Sequence, residues 1–132
     1  MLSYSTHGDL LSGAPRRDVH ATLGGGRLYR NEGSRFVDVS AKAGIYGGAD
    51  GYGLGLVVSD LNTDGCPDVY VANDFQEQDF LYVNNCDGTF TESIARATGH
   101  TSRFSMGVDA ADVNDDGQPD LKMLGEHRGH CT

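Results

Sequence analysis

The stretch DLNTDGCPD, residues 60–68, returns near the end of the chain as DVNDDGQPD, residues 112–120. Both copies place Asp or Asn at the first, third and fifth positions, Gly at the sixth, Pro at the eighth and Asp at the ninth. The residues around them also recur, because LYRN at 28–31 matches LYVN at 81–84 with an offset of 53 residues. A fixed period of this length indicates a repeat architecture.

The repeat divides the chain into three parts. Residues 1–26 are interpreted as a remnant of a preceding unit, in which DLLSGAP at 9–15 looks like a closing strand and turn. Residues 27–79 and 80–132 are one unit each, and each carries one acidic loop.

Each unit is predicted to contain four short strands. LGLVVS at 54–59 and VYVA at 69–72 flank the first acidic loop, and both are β-branched or apolar runs bounded by turn residues. FLYVNN at 80–85 and GTFTES at 88–93 flank an Asn-Cys-Asp-Gly segment typical of a hairpin turn. SIARATG at 93–99 predicts at most a single helical turn.

Repeats with four short strands each are typical of β-propeller blades, which stack because no single blade covers both of its faces. We therefore predict an all-β chain built of antiparallel four-stranded blades, with about two and a half blades of a larger propeller. Residues 27–79 and 80–132 are predicted to be one blade each, and residues 1–26 the remnant of a preceding blade and a connecting loop. Such an open array leaves unpaired strand edges and an apolar flank. The isolated chain is therefore expected to self-associate or aggregate.

The composition excludes several classes of protein. The chain has 132 residues, 38% of them hydrophobic, and a formal net charge of −9. No apolar run approaches the roughly 20 residues of a membrane span, and the start, MLSYSTHGDLL, lacks the regions of a signal peptide. No cluster of Lys or Arg offers a surface for nucleic acid. Neither nucleic acid nor membrane insertion is expected, and cations are the natural counter-charge.

The spacing of the acidic side chains in both loops fits calcium. Ca²⁺ takes about six to eight hard oxygen ligands, and side chains on alternate residues of a tight loop supply them compactly. Gly at the sixth position allows positive φ, the seventh residue offers its backbone carbonyl, and Asp at the ninth position returns to the ion. Two calcium sites are therefore predicted. Their ligands are Asp60, Asn62, Asp64, Cys66 and Asp68 in the first loop, and Asp112, Asn114, Asp116, Gln118 and Asp120 in the second.

Three other interpretations of the polar residues are weaker. An EF-hand needs Glu at position 12 and helices on both sides, but position 12 here is Val71 or Met123. Well-solvated turns without metal are disfavoured because Gly and Pro recur at repeat spacing. His127, His130 and Cys131 lack a fourth ligand and the order of a known zinc motif.

The cysteines and the repeated aromatic residues are assigned to structure. Spacing permits a Cys66–Cys86 disulfide, although ordinary loop positions are the favoured interpretation. Four aromatic residues at matching repeat positions are expected in the core between blades. They are Tyr29, Phe36, Tyr82 and Phe90.

The motifs together resemble a known family. DLNTDGCPDVYVAND at 60–74, DVNDDGQPDLKML at 112–124 and LYVNNCDGTF at 81–90 resemble the FG-GAP or VCBS repeat of integrin α-chain propellers, and most closely the bacterial relatives of cartilage acidic protein. The resemblance implies a calcium-stabilised propeller, exported or at the cell surface, with the ligands given above. Cys86 departs from the family pattern, which usually has Gly at this position.

We therefore expect a non-enzymatic calcium-binding module of an exported recognition or adhesion protein, located outside the cell, on its surface or in the periplasm. Its partners would be a protein or carbohydrate ligand and the remaining propeller blades. The alternative is a set of scaffold blades in a larger exported enzyme whose catalytic part lies outside this chain. No nucleophile and base in a hydrolase motif are found in the sequence.

Overall fold

A computed structural model describes residues 25–46, 51–74, 77–99, 102 and 104–125. These residues form β1 (Tyr29–Asn31), β2 (Phe36–Asp38), α1 (Ser40–Ala43), β3 (Tyr52–Ser59), β4 (Asp68–Asp74), β5 (Phe80–Asn84), β6 (Phe90–Glu92), α2 (Ile94–Thr98), β7 (Ser105–Ala111) and β8 (Asp120–Gly125). All pairs of strands are antiparallel, and the all-β prediction is confirmed. DLLSGAP at 9–15 and the possible zinc ligands His127, His130 and Cys131 lie outside the described residues.

The strands form one complete blade and two half-blades. A four-stranded sheet has the order β3-β4-β5-β6, which is the simple antiparallel order of a propeller blade. Two-stranded sheets, β1-β2 and β7-β8, precede and follow it. The complete blade runs from Tyr52 to Glu92 and crosses the boundary between units 27–79 and 80–132. The sequence repeat and the blades are thus out of phase, because each unit begins at the outer hairpin of one blade.

The predicted hairpin turn at 85–88 connects β5 to β6. The N–H of Asn85 donates to the carbonyl of Thr89 at 2.9 Å. Cys86 and Gly88 have positive φ angles of 61° and 90°. The side chain of Asn84 supports the turn, because its Oδ1 accepts the N–H of Cys86 at 2.9 Å.

A short helix follows each outer hairpin. α2 lies within the segment 93–99, where a single helical turn was predicted, whereas α1 was not predicted. β2 ends early since the Asp38 carboxylate accepts hydrogen bonds from Oγ and N–H of Ser40, and these bonds lower the pKa of Asp38 to about 2. No helix in the described part of the chain is long and apolar enough to cross a membrane.

Two apolar clusters lie on opposite faces of the complete blade, because successive residues of a strand point to opposite faces of a sheet. The first contains Ala43, Ile45, Phe80 and Tyr82, with Leu28 and Val39 packed against it. The second contains Tyr70, Ala72, Leu81 and Ile94, with Val108 and Leu121 packed against it. The β1-β2 hairpin therefore lies on one face of the blade, and β7-β8 lies on the other.

The prediction for the aromatic residues is right for two of the four. Tyr82 is 2% exposed and belongs to the first cluster, and Phe90 is packed against it. Tyr29 and Phe36 are 45% and 70% exposed, so the prediction that they lie in the core is wrong. The reason is that β1 and β2 pair only with each other among the described strands, which leaves open the surfaces that a complete blade covers.

Candidate metal centre

The first acidic loop connects β3 to β4 and is organised by hydrogen bonds from its own backbone. The two carboxylate oxygens of Asp60 accept the N–H groups of Asp64 and Gly65 at 3.1 and 2.9 Å. Oδ1 of Asn62 accepts the same N–H of Asp64 at 3.0 Å, and Oδ1 of Asp64 accepts the N–H of Cys66 at 2.8 Å. The side chains at the first, third and fifth positions thus gather around one tight turn of backbone.

Two residues of this loop have left-handed backbone geometry. Gly65 has a φ of 88°, which confirms the expected role of glycine at the sixth position. Thr63, at the fourth position, has a φ of 60°, which the sequence pattern did not predict. The second loop has the same two angles, 61° at Asp115 and 82° at Gly117.

The second loop, between β7 and β8, reproduces the hydrogen bonds of the first. Asp112 accepts the N–H groups of Asp116 and Gly117 at 3.0 and 2.8 Å. Oδ1 of Asn114 accepts the N–H of Asp116 at 3.0 Å, and Oδ1 of Asp116 accepts the N–H of Gln118 at 2.9 Å. The two loops differ in sequence only at their second, fourth and seventh positions, so the shared residues determine the common geometry.

The aspartates at the ninth position differ between the two loops. Asp68 is fully buried; its Oδ2 accepts the N–H of Leu61 at 3.0 Å, and its Oδ1 accepts the N–H of Asn84 in β5 at 2.8 Å. Asp120 is partly buried, and its Oδ2 accepts the N–H of Val113 at 3.0 Å. Its Oδ1 has no hydrogen-bond partner among the described residues. Asp68 therefore joins the acidic loop to the third strand of its blade, and Asp120 does not.

A disulfide joins the first acidic loop to the hairpin between β5 and β6. It links Cys66 to Cys86 across a sequence separation of 20, with the two Cα atoms 5.8 Å apart. The favoured interpretation of both cysteines as ordinary loop positions is therefore wrong. The pairing of β4 with β5 and the bond from Asn84 to Asp68 bring the two loops side by side. Asn84 was missed as a partner of the acidic loop, although the recurring L-Y-x-N motif marked it.

The disulfide limits what Cys66 can contribute to a metal site. In the described residues, one set of acidic, thiol or imidazole side chains brings three ligand atoms within 4.8 Å of one another, and it consists of Asp64, Cys66 and Cys86. Disulfide sulfurs are not thiolates, which are the form of cysteine that binds metals. Cys66 can therefore act only through its backbone carbonyl, as the sequence predicts.

The donor atoms of each loop fit calcium by their chemistry. In neither loop do oxygen atoms of all three carboxylates lie within 4.8 Å of one another, because Asp68 and Asp120 turn towards backbone N–H groups. Every predicted donor is nevertheless a hard carboxylate, amide or carbonyl oxygen, as Ca²⁺ requires. A carboxylate oxygen that accepts one hydrogen bond keeps a second lone pair for a cation.

The acidic side chains of the loops lack a protein counter-charge among the described residues. The ion pairs there lie on or beside the β1-β2 hairpin, where Arg27 pairs with Asp38 and Glu32 pairs with Arg30 and Arg35. No described Lys or Arg pairs with an aspartate of either loop. Carboxylates gathered on one short loop repel one another, and a bound cation relieves this repulsion.

Comparison with protein families supports the resemblance seen in the sequence. Residues 60–121 match the family described as FG-GAP-like repeat, a stretch that begins at the first aspartate of one acidic loop and ends one residue after the last aspartate of the other. The match supports the FG-GAP family for this part of the chain, but it does not extend to the bacterial relatives of cartilage acidic protein. No curated protein and no solved structure matches the chain.

Proposed function

We propose that the chain is a calcium-binding β-propeller repeat module of an exported recognition or adhesion protein, with calcium in a structural role. The observation that carries the proposal is the recurrence of one acidic loop with the same hydrogen bonds at the same place in two blades. A solvated turn does not require carboxylates at the same first, fifth and ninth positions in both copies. The closer relationship to bacterial relatives of cartilage acidic protein belongs to this proposal.

Calcium would be held at the junction of the two inner strands of each blade. In the first loop Asp60, Asn62 and Asp64 would supply side-chain oxygens, Cys66 its carbonyl, and Asp68 a carboxylate from the start of β4. Bound calcium supplies positive charge and no covalent chemistry. The protein's own contribution is to hold the donors on one turn, because Asp60 binds the N–H of Gly65 and thereby closes the loop.

Two features favour an exported, non-enzymatic protein. A disulfide such as Cys66–Cys86 persists in oxidising compartments outside the cytosol. The recurring polar groups of the chain are acidic loops and not a nucleophile with its base. A protein or carbohydrate ligand would bind to loop side chains of the assembled propeller. The alternative, scaffold blades of a larger exported enzyme, has no specific observation in its favour among the described residues.

Calcium binding is tested by titration calorimetry together with thermal melts in calcium, magnesium and EDTA. A ligand that binds only the folded chain stabilises it by RT ln(1 + [L]/Kd). With a Kd of about 10⁻⁴ to 10⁻³ M, as in extracellular modules, millimolar calcium adds roughly 0.4 to 1.4 kcal/mol per site. Magnesium should stabilise less, because it gives up its water reluctantly.

Matched substitutions in the second loop distinguish direct ligation of calcium from a general effect of the loop's negative charge. Asp116→Ala removes a predicted ligand, whereas Asp115→Ala removes the same charge from the adjacent exposed position. We expect Asp116→Ala to abolish one of two calcium sites and Asp115→Ala to keep both. The proposal fails if EDTA leaves the melt unchanged, or if both variants lose the same amount of binding.

A further inference from the structure

The Cys66–Cys86 disulfide lies directly beside the ligands of the first acidic loop. Cys66 occupies the seventh position, where its backbone carbonyl is a predicted calcium ligand, and its N–H donates to Oδ1 of Asp64 at 2.8 Å. A carboxylate oxygen of Asp64 lies within 4.8 Å of both sulfur atoms. We propose that the disulfide positions the ligands of the first calcium site, so that this site binds calcium tightly only while the disulfide is intact. This inference rests on the proposed function, because it concerns the regulation of the same site.

The partner cysteine lies at the tip of the β5-β6 hairpin, which is closed by its own hydrogen bonds. The N–H of Cys86 donates to Oδ1 of Asn84 at 2.9 Å, and the N–H of Asn85 donates to the carbonyl of Thr89 at 2.9 Å. The N–H and the hydroxyl of Thr89 donate to Oδ1 of Asp87 at 2.9 and 2.6 Å. Because these bonds lie within the hairpin, its tip is a fixed point to which the acidic loop is attached.

Asn84 attaches the next two residues of the acidic loop to the same strand. Its Nδ2 donates to the carbonyl of Pro67 at 3.0 Å, and its N–H donates to Oδ1 of Asp68 at 2.8 Å. Together with the disulfide, these bonds link three consecutive loop residues, 66–68, to residues 84–86. The seventh and ninth positions supply the carbonyl and the last carboxylate of the predicted site. Their placement therefore depends on the end of β5 and on the hairpin.

The earlier ligands of the loop are organised by bonds within the loop itself. Asp60 accepts the N–H groups of Asp64 and Gly65, and Asn62 donates its Nδ2–H to Oδ2 of Asp64 at 2.8 Å. The disulfide is the covalent link that holds the later ligands beside this turn. Ligands that are already assembled lose less conformational freedom when the ion binds, and such preorganisation raises affinity.

The second acidic loop provides an internal comparison. Gln118 occupies the position that corresponds to Cys66, so the seventh residue of this loop cannot form a disulfide. The hydrogen bonds within the second loop are otherwise those of the first. Reduction of the chain should therefore weaken calcium binding at the first site and leave the second site unchanged.

The backbone at Cys86 provides a way to remove the disulfide with little disturbance of the hairpin. Cys86 has a φ of 61°, which lies in the left-handed region. Glycine enters this region without steric cost, whereas other residues do so at a cost in free energy. Cys86→Gly therefore removes the sulfur and relieves the backbone together, so we expect the hairpin to keep its fold in this variant.

The chemical step is a thiol–disulfide exchange with a dithiol. The dithiol gives up two electrons and two protons, the Cys66–Cys86 bond breaks to give two thiols, and the dithiol closes to its own disulfide. The two thiols no longer connect the acidic loop to the hairpin. Because disulfides persist in oxidising compartments, the first site would reach its full calcium affinity after export.

The first test is calcium titration calorimetry on chains that keep one site each, before and after reduction by a dithiol. Asp116→Ala keeps the first site and Asp64→Ala keeps the second. Both chains carry Cys131→Ser, so that the third cysteine cannot exchange with the disulfide. We expect reduction to raise the Kd of the first site about tenfold, a typical size for coupling between two events, and to leave the Kd of the second site unchanged.

Two further variants of the Asp116→Ala chain separate positioning from stability. Cys66→Ala combined with Cys86→Gly removes the disulfide without a reductant and keeps the backbone carbonyl of the seventh position. Ile94→Ala removes a fully buried side chain from the second apolar cluster and keeps the disulfide. We expect the first variant to bind calcium as weakly as the reduced chain. Ile94→Ala should lower the melting temperature with an unchanged Kd.

The second test is the reverse effect, which thermodynamic linkage requires. If the disulfide tightens calcium binding, calcium must favour the disulfide by the same factor. The equilibrium between the Asp116→Ala chain and a dithiol is therefore measured with and without saturating calcium. We expect calcium to shift the equilibrium constant about tenfold towards the disulfide. The control is the Asp64→Ala chain, in which calcium stabilises the fold through the second site and should not move this equilibrium.

The outcomes distinguish this inference from the proposed function. Equal calcium affinities of the first site before and after reduction overturn the inference and leave calcium binding intact. Equal losses of affinity in both one-site chains also overturn it, as does loss of the folded circular dichroism spectrum in both the reduced chain and the disulfide-free variant. In that last case the disulfide holds the fold and not the site. Failure of the oxidised native chain to bind calcium refutes the proposed function, and this inference with it.

Discussion

Replacing Asp68 by Ala should destabilise the chain much more than replacing Asp120 by Ala, even without calcium. Both residues close an acidic loop, and both accept one backbone N–H within it. Only Asp68 also accepts an N–H from the third strand of its blade, that of Asn84. Asp68 is fully buried, so its loss leaves two N–H groups shielded from water.

The size of the difference follows from the additional hydrogen bond. A hydrogen bond to a charged group contributes about 1.5–3 kcal/mol, and a donor left buried without a partner incurs a cost of similar size. We therefore expect Asp68→Ala to lower the free energy of unfolding by roughly 1.5–3 kcal/mol more than Asp120→Ala does. For a chain of this length, the difference corresponds to roughly 5–12 °C in Tm.

The assay is thermal and urea unfolding in EDTA, so that no metal contributes. Both substitutions are made in the native chain. Asp68→Asn and Asp120→Asn keep the side-chain volume and serve as conservative controls. Equal destabilisation by the two Ala substitutions would refute the reasoning that the bond to Asn84 distinguishes the loops.

Three further predictions concern the disulfide, the glycines and the tyrosines. Reduction of Cys66–Cys86, which spans 20 residues, should lower the free energy of unfolding by about 3 kcal/mol, because the unfolded chain gains conformational entropy when the loop opens. Identical urea unfolding curves for the oxidised and the dithiol-reduced chain would contradict this prediction. Gly44→Ala should destabilise more than Gly99→Ala, since both have positive φ but only at Gly44 would the Cβ meet a β6 carbonyl, at 2.8 Å; equal melting temperatures would exclude that clash. Burial raises the pKa of Tyr82 above its usual value of 10.0. The neutral side chain therefore stabilises the folded chain fully below pH 10.0, and this contribution is lost as the pH rises above 10.0. Urea melts between neutral and strongly alkaline pH, with Tyr82→Phe as the control, measure this loss; an equal loss in the variant rules Tyr82 out.

Local features of the molecule were predictable from short stretches of sequence. The acidic loops, the strands on both sides of them and the hairpin at 85–88 depend on turn residues and β-branched runs within about ten residues of one another. Gly65 illustrates this, because its positive φ is required by the tight loop that contains it. The strand composition of the complete blade did not follow from the repeat, because the blade takes β3 and β4 from one unit and β5 and β6 from the next.

Contacts between distant segments were decided by the tertiary structure. Sequence spacing permitted a Cys66–Cys86 disulfide but did not establish it, and the pairing of β4 with β5 is what brings the two cysteines side by side. The buried carboxylate of Asp79 is another case, because it accepts hydrogen bonds from Tyr70 and from Ser105, which lie in two different blades. Neither Asp79 nor Ser105 belongs to a local motif that would place it in the interior.

The exposure of repeated residues was also decided by the tertiary structure. Tyr29 and Tyr82 occupy the same position of the repeat, yet one is 45% exposed and the other 2% exposed. The sequence determines that both belong to the same strand of a blade. Burial depends on which strands lie beside that strand and over it, and this is a property of the assembled blades. Two copies of one motif can therefore have the same local geometry and different surroundings.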